Sequence, residues 1–124
     1  MLARTWPMVS AVALYPDLPY DPVRDFAPIS LIIASPTVLV VHPALPAKSV
    51  KELIALAKSR PGELNFAMGS VGAANHLAAE LFKSMAGLNH THVPFNNTGA
   101  LIAALRGGDV QVAFEFLPPV LGQI

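Results

Sequence analysis

The sequence contains no cysteine. That excludes a disulfide, a thiolate nucleophile and a cysteine-ligated metal. It leaves the compartment open, because exported proteins need not carry disulfides. Charge is scarce as well: charged residues are 13% of the chain, about half the usual share. Lys+Arg number 8 and Asp+Glu number 8, so the net charge is zero. A neutral chain has no electrostatic footprint for nucleic acid or for an anionic membrane. In place of charge stand 53% hydrophobic residues and 12 prolines. The length, 124 residues, suits one domain and not two, and is long enough to bury a core. So apolar a surface on a small domain needs an explanation.

No Asp, Glu, Lys or Arg falls between Phe26 and Ala47, a stretch long enough to span a bilayer. Pro28, Pro36, Pro43 and Pro46 cut it into pieces too short for a spanning helix. Met1-Leu2-Ala3-Arg4 with Ala11-Val12-Ala13 has a faint signal-peptide pattern, which Pro7 and the single early charge oppose. Residues 15–22, with Pro16, Pro19 and Pro22, predict an irregular approach anchored by Tyr15, Leu18, Tyr20 and Phe26. Two Ile- and Val-rich runs, residues 29–34 and 37–41, read as buried strands.

Ser49-Val50-Lys51-Glu52 is a capping box, and Val50, Leu53, Ile54 and Ala57 mark one helix face that ends before Pro61-Gly62. Residues 64–68 predict a strand; Leu77, Leu81, Phe82 and Met85 predict a helix ended by Gly87. Residues 91–95 predict another strand, Leu101, Ile102 and Leu105 a short helix ended by Gly107-Gly108. Val110, Val112, Phe114 and Phe116 alternate with Gln111, Ala113 and Glu115, a strand with two unlike faces. Repeated strand–helix–strand units imply an α/β domain over residues 1–124, with a mostly parallel sheet flanked by helices. Trp6 and the methionines read as packing residues.

Ligands of open α/β sheets bind outside the carboxyl ends of the strands. Two junctions there are built of small polar residues: Gly69-Ser70-Val71-Gly72-Ala73-Ala74-Asn75 and Asn96-Asn97-Thr98-Gly99. Each opens a helix whose first turn lacks an acid, in contrast to Glu52 in the preceding helix. Helix N-termini of that kind favour an anion; Ser70, Asn75 or Thr98 would alternatively cap their own helices. Nothing fits the phosphate-loop pattern G-x-x-x-x-G-K-[ST], and no cofactor is implied. Ser70 and His76 as nucleophile and base would make a small hydrolase, but no acid nearby obviously orients the histidine. His90-Thr91-His92 puts two imidazoles on one side of a strand; a metal would need a third ligand from His76, His42 or a distant carboxylate, so no metal is expected. Glu115 stands near the carboxyl end of the last strand and would face the same crevice.

The run Leu18-Pro19-Tyr20-Asp21-Pro22-Val23-Arg24-Asp25-Phe26-Ala27-Pro28-Ile29 resembles the signature of the tripartite tricarboxylate transporter receptors, the Bug or TctC-like extracytoplasmic solute-binding proteins. Leu39-Val40-Val41-His42-Pro43, Ser49-Val50-Lys51-Glu52-Leu53, His76-Leu77-Ala78-Ala79-Glu80-Leu81-Phe82, His92-Val93-Pro94-Phe95 and Leu105-Arg106-Gly107-Gly108 follow in the same order. The resemblance implies a type 2 periplasmic-binding fold, in which two α/β lobes close on a small carboxylate. It implies that this chain is the second lobe, with the first lobe and a C-terminal return segment absent. It further implies a periplasmic setting and membrane transporter subunits as partners.

Against the family's pattern Ser-x-Gly-x-Gly-(Ser/Thr)-x-x-His, Ser70, Gly72 and His76 can be placed, whereas Ala73 and Ala74 stand where a hydroxyl side chain is expected. Pro94-Phe95-Asn96-Asn97-Thr98 replaces Pro-Tyr-Lys-Gly-Gly, and Glu115 stands where an Asp is frequent. The ligand-binding candidates are therefore Ser70, Gly72, Ala73, Ala74, Asn75, His76, Asn96, Asn97, Thr98, Gly99 and Glu115, acting without catalysis. A structural module that self-associates as a homodimer through the face a partner lobe would cover is the alternative.

Overall fold

A computed structural model of the chain describes residues 3, 4 and 6–123. The sequence-stretch Met1-Leu2 and Thr5, part of the faint signal-peptide pattern, lie outside the described residues, as does the Trp6 side chain. A π-helical turn, Trp6–Ser10, leads into a short helix α1, Ala11–Leu14. The approach segment is then knitted locally. The Tyr20 hydroxyl donates to the Pro7 carbonyl at 2.6 Å, and its ring meets Phe26 edge-on at 5.8 Å. Asp21 accepts from the backbone N–H groups of Val23 and Arg24. Those two bonds, with the Arg24 guanidinium, hold its carboxyl below the usual range against a small opposing effect of burial. Tyr15, expected as an anchor, is instead exposed.

Four strands and three longer helices follow: β1 (Thr37–Val41), α2 (Val50–Ser59), β2 (Asn65–Met68), α3 (Ala74–Ala86), β3 (Thr91–Pro94), α4 (Thr98–Gly107) and β4 (Val112–Phe116), with a final turn α5 (Leu117–Val120). The strand order is β1-β4-β2-β3. β2 runs parallel to both β3 and β4, while β1 lies antiparallel to β4. The sheet is thus mostly parallel, as expected, with one antiparallel edge. Among the described residues no helix is long and apolar enough to cross a membrane.

The expected strand over residues 29–34 does not form among the described residues; the segment has no regular secondary structure and is exposed throughout. Its apolar composition suits a strand, but a strand exists only through pairing, and among the described residues none of the sheet's strands pairs with it.

The capping box at α2 forms with a small shift: Ser49 Oγ accepts from Glu52 N–H at 3.2 Å, while the Glu52 carboxylate reaches back to Lys48 N–H at 2.7 Å. Gly87 and Gly108 end α3 and α4 in the left-handed region, with φ of 61° and 83°. One face of the sheet packs Phe66, Met68, Val112 and Phe114 against Leu53 and Ala57 of α2 and Ala79 of α3. The other packs Ala67 and Ala113 against Leu101 of α4. β4 is therefore buried on both faces, because a central strand between helical layers has no solvent side. The predicted face of α3 is also rotated. Asn75, Ala79 and Phe82 turn inward, and Leu77, Leu81 and Met85 turn out, Met85 being 80% exposed. Gln111 fastens the start of the sheet: its amide donates to the Gly108 carbonyl at 2.8 Å and its side-chain oxygen accepts from Asn65 N–H at 2.9 Å.

Under α3 lies a row of ionisable groups. His90 is buried and stacks on Phe66, ring centres 3.6 Å apart. Its Nε2 is 2.7 Å from Nε2 of His92, and His92 Nδ1 is 2.6 Å from the Glu80 carboxylate. One proton per contact satisfies the row: His92 donates from Nδ1 to Glu80, and His90 donates from Nε2 to His92. That leaves buried His90 Nδ1 as a bare acceptor without a partner. Burial, then the His92 and Lys83 charges, push the His90 pKa from 6.5 down to about 4, although Glu80 opposes them. Burial raises Glu80, but the His92 hydrogen bond and the His92, Lys83 and His76 charges outweigh it and hold the carboxyl low.

A folded His90 thus gives up its proton more readily than an unfolded one, so the unfolded chain binds more protons as pH falls from 6.5 towards 4. Stability from this residue is whole above that window and is lost across it. Urea midpoints measured from pH 7 downward should fall through the window and fall less steeply in His90→Phe, which keeps the stack on Phe66; an unchanged slope in the variant refutes the assignment.

Candidate functional site

Because β2, β3 and β4 run parallel, their carboxyl ends open on one rim. Residues 69–73 leave β2 for α3, residues 95–97 leave β3 for α4, and β4 passes into α5. Phe95 N–H donates to the Met68 carbonyl at 2.9 Å, so the first two loops start side by side. The β2–β4 register pairs Ala67 with Ala113; two residues on, Glu115 stands level with Gly69.

The first loop is shaped by two glycines. A Cβ at Gly69 would fall 2.5 Å from the Asn75 side chain, so only glycine lets Asn75 lie there. Asn75 is 2% exposed and accepts from His76 N–H through its side-chain oxygen at 3.1 Å. Gly72 has φ of 84°, which closes the turn in which Ala73 N–H donates to the Ser70 carbonyl at 3.0 Å. Gly72 N–H then donates to His76 Nδ1 at 2.9 Å. That bond requires a bare Nδ1, so His76 carries its proton on Nε2, which faces Glu80 at 3.8 Å.

α3 begins at Ala74 with Ala73 as its N-cap, no side-chain cap and no acid in its first turn. Of its opening N–H groups, that of His76 is taken by the Asn75 side chain, and the N-cap Ala73 supplies no side-chain acceptor. α4 differs. Asn97 is its N-cap and accepts from Ala100 N–H at 2.8 Å, so part of the expected opening is already filled from within the chain. Ser70 and Thr98 do not cap their helices, and Asn75 takes one first-turn N–H, that of His76, from inside the helix and not from the N-cap. Ser70 is in the turn, Asn75 packs over Gly69, and Thr98 is the first residue of α4.

The remaining candidates are distributed around this rim. Ser70, Asn96, Asn97 and Gly99 are exposed; Ala73, Ala74, His76 and Thr98 are half-buried; Gly72 is buried. Glu115 is 2% exposed and accepts from Phe116 N–H at 2.8 Å; it is a buried group at the rim, not a side chain projecting into the crevice. It lies inside because β4 is central. No hydrogen bond joins Ser70 to His76, whose Nδ1 is taken by Gly72. Glu80, at the i,i+4 spacing on α3, stands 3.8 Å from His76 Nε2, beyond a hydrogen bond, and makes its short contact with His92. Among the described residues no group of three or more His, Cys, Asp or Glu could hold a metal ion.

Comparison with known proteins agrees with this geometry. The family model for the tripartite tricarboxylate transporter family receptor matches residues 2–124. Protein BugT of Bordetella pertussis is 36% identical over 118 residues, 95% of this chain and 36% of BugT. The chain thus spans about a third of the length of the curated relatives it matches. A solved periplasmic transporter superposes with a TM-score of 0.87 and 33% identity, over 98% of this chain and 41% of that one. An R. palustris protein solved with adipate gives 0.75 and 36% identity, over 88% and 38%. MatC from Rhodopseudomonas palustris, with bound malate, gives 0.76 and 30% identity, over 92% and 40%. The mostly parallel α/β sheet with its flanking helices is that of these periplasmic proteins, and the chain belongs to the tripartite tricarboxylate transporter receptor family.

Proposed function

We propose that this chain is one lobe of a solute-binding receptor and contributes half of a site for a small organic carboxylate. The observation that carries this reading is the start of α3. It has neither a side-chain cap nor an acid, and a glycine-shaped turn leads into it on a rim shared with the second loop. A carboxylate seated there would accept from the opening N–H groups and complement the helix dipole. Relatives of similar fold were solved with adipate and with malate, which favours the same ligand class here. The reaction is capture without covalent chemistry. In a two-lobed receptor, the other lobe would close over the ligand and a membrane transporter would receive it, in the periplasm.

Two features of this chain set its preference apart. Ala73 and Ala74 offer backbone donors but no hydroxyl, and the second loop offers Asn96, Asn97 and Thr98 but no cation. Binding then rests on N–H groups and bridging water, with no lysine to add charge. Half a site that cannot close also leaves the ligand in water, where each hydrogen bond is weak.

Titration of the chain with malate and adipate, followed by amide NMR shifts, should therefore show binding no tighter than millimolar. The shifts should centre on residues 72–76 and 97–99. Micromolar affinity would overturn the half-site reading, and shifts confined to other surfaces would overturn the site. Ala73→Asp supplies the missing cap and its negative charge. It should raise the melting temperature, by about 1 kcal/mol of added helix stability, and abolish the ligand shifts. Gains in stability and in binding together would count against the reading.

A further inference from the structure

His76 joins the turn before α3 to the row of ionisable groups beneath that helix. Its Nδ1 accepts from Gly72 N–H at 2.9 Å. Its Nε2 stands 3.8 Å from Glu80 Oε1, the same oxygen that His92 Nδ1 meets at 2.6 Å. One carboxylate oxygen thus lies between two imidazoles. The His76 side chain is 14% exposed, so the charges of its neighbours reach it with little screening.

Those charges come from α3 and β3. α3 carries Glu80 and, three residues on, Lys83; β3 carries His92, backed by His90. β1 and β2 also lie against α3 and have no ionisable side chain. β4 has Glu115, whose carboxylate accepts from Phe116 N–H. Burial works against ionisation of Glu80, yet the His92 hydrogen bond and the His92, Lys83 and His76 charges keep it ionised. A negative charge therefore stands beside His76 Nε2, where it favours a second proton on the ring.

That second proton changes what the turn offers. The neutral ring, with its proton on Nε2, closes Gly72 N–H with the Nδ1 lone pair. In the imidazolium both nitrogens donate. The lone pair is lost, Gly72 N–H is released, and Nδ1–H becomes a donor beside it. Gly72, with φ of 84°, belongs to the turn that enters α3. An acceptor facing the rim is thereby exchanged for two donors and a positive charge. Neither loop has a lysine to supply such a charge.

We propose that His76 makes carboxylate capture proton-linked: the ring takes a proton at Nδ1 as the anion arrives, and the imidazolium with the freed Gly72 N–H holds it. The proton comes from solvent, and no covalent bond forms. This inference rests on the carboxylate reading of the rim and names the group that sets its affinity.

Malate titrations of the chain at pH 8 and pH 6, where malate stays ionised, test it through amide NMR shifts. Affinity should be about threefold or more higher at pH 6, the effect of one unit charge about 6 Å from the anion in a water-like dielectric. At pH 7 binding should take up protons, read as a dependence of the calorimetric heat on the ionisation enthalpy of the buffer. His76→Asn offers an oxygen near the Nδ1 position but gains no proton. It should bind malate equally at both pH values, with its fold unchanged by circular dichroism. Should that variant fail to fold, proton uptake by the parent chain decides. Equal affinity of the parent at the two pH values, binding without proton uptake, or an unaltered pH dependence in His76→Asn would each overturn the proton linkage and leave the site standing. Malate shifts missing from residues 72–76 at both pH values would instead overturn the carboxylate reading, and this inference with it.

Discussion

Everything at the site depends on β2 being held in parallel register between β4 and β3. Phe66 and Ala67 are fully buried in that position, and the two faces of the domain meet their helices on either side of them. Parallel pairing has a geometric consequence that no loop sequence could supply. It brings the exits of β2 and β3 to one rim, a single backbone bond apart at Phe95 and Met68. The loops can then be short, because the scaffold has already aligned them. Gln111, fastening the opposite ends of β2 and β4, holds that alignment from the far pole.

The two loops solve the problem of a helix start differently. α4 satisfies itself through Asn97, and α3 does not. In α3, the asparagine that might have capped the helix is instead packed over Gly69, and the histidine that follows accepts from the turn. The polar side chains of the loop thus hold the backbone in shape, Asn75 and His76 taking the His76 and Gly72 N–H groups, while the N-cap position itself supplies no side-chain acceptor. Apolar alanines at positions 73 and 74 fit that division of labour.

Much of this was legible in the sequence. Helix α2 was fully announced, since the capping box, one apolar face and a Pro-Gly stop all agree. The glycine ends of α3 and α4 were readable for the same local reason. What failed were the features decided by neighbours. Residues 29–34 have strand chemistry but no partner strand among the described residues. Leu77, Leu81 and Met85 have helical spacing, yet the sheet selects the face with Asn75, Ala79 and Phe82. Glu115 alternates like a surface residue but is buried because β4 is central. The two loops do join a strand to a helix where the sequence puts them, whereas which asparagine caps and which packs depends on a contact between Gly69 and Asn75 that spacing alone does not reveal.

The strand order carries a consequence for how the chain is made. β4 follows β1, β2 and β3 in the sequence, yet it lies between β1 and β2, which do not pair with each other. Until the ribosome has delivered β4, β1 has nothing to pair with and the Phe66 face lacks half its sheet. Over that interval the uncharged, strand-prone segment from Phe26 to Ala47 lacks the sheet partner that β4 supplies to β1. The sheet can close only when β4 enters the place between β1 and β2, so the latest of the four strands completes the pairing of the earliest.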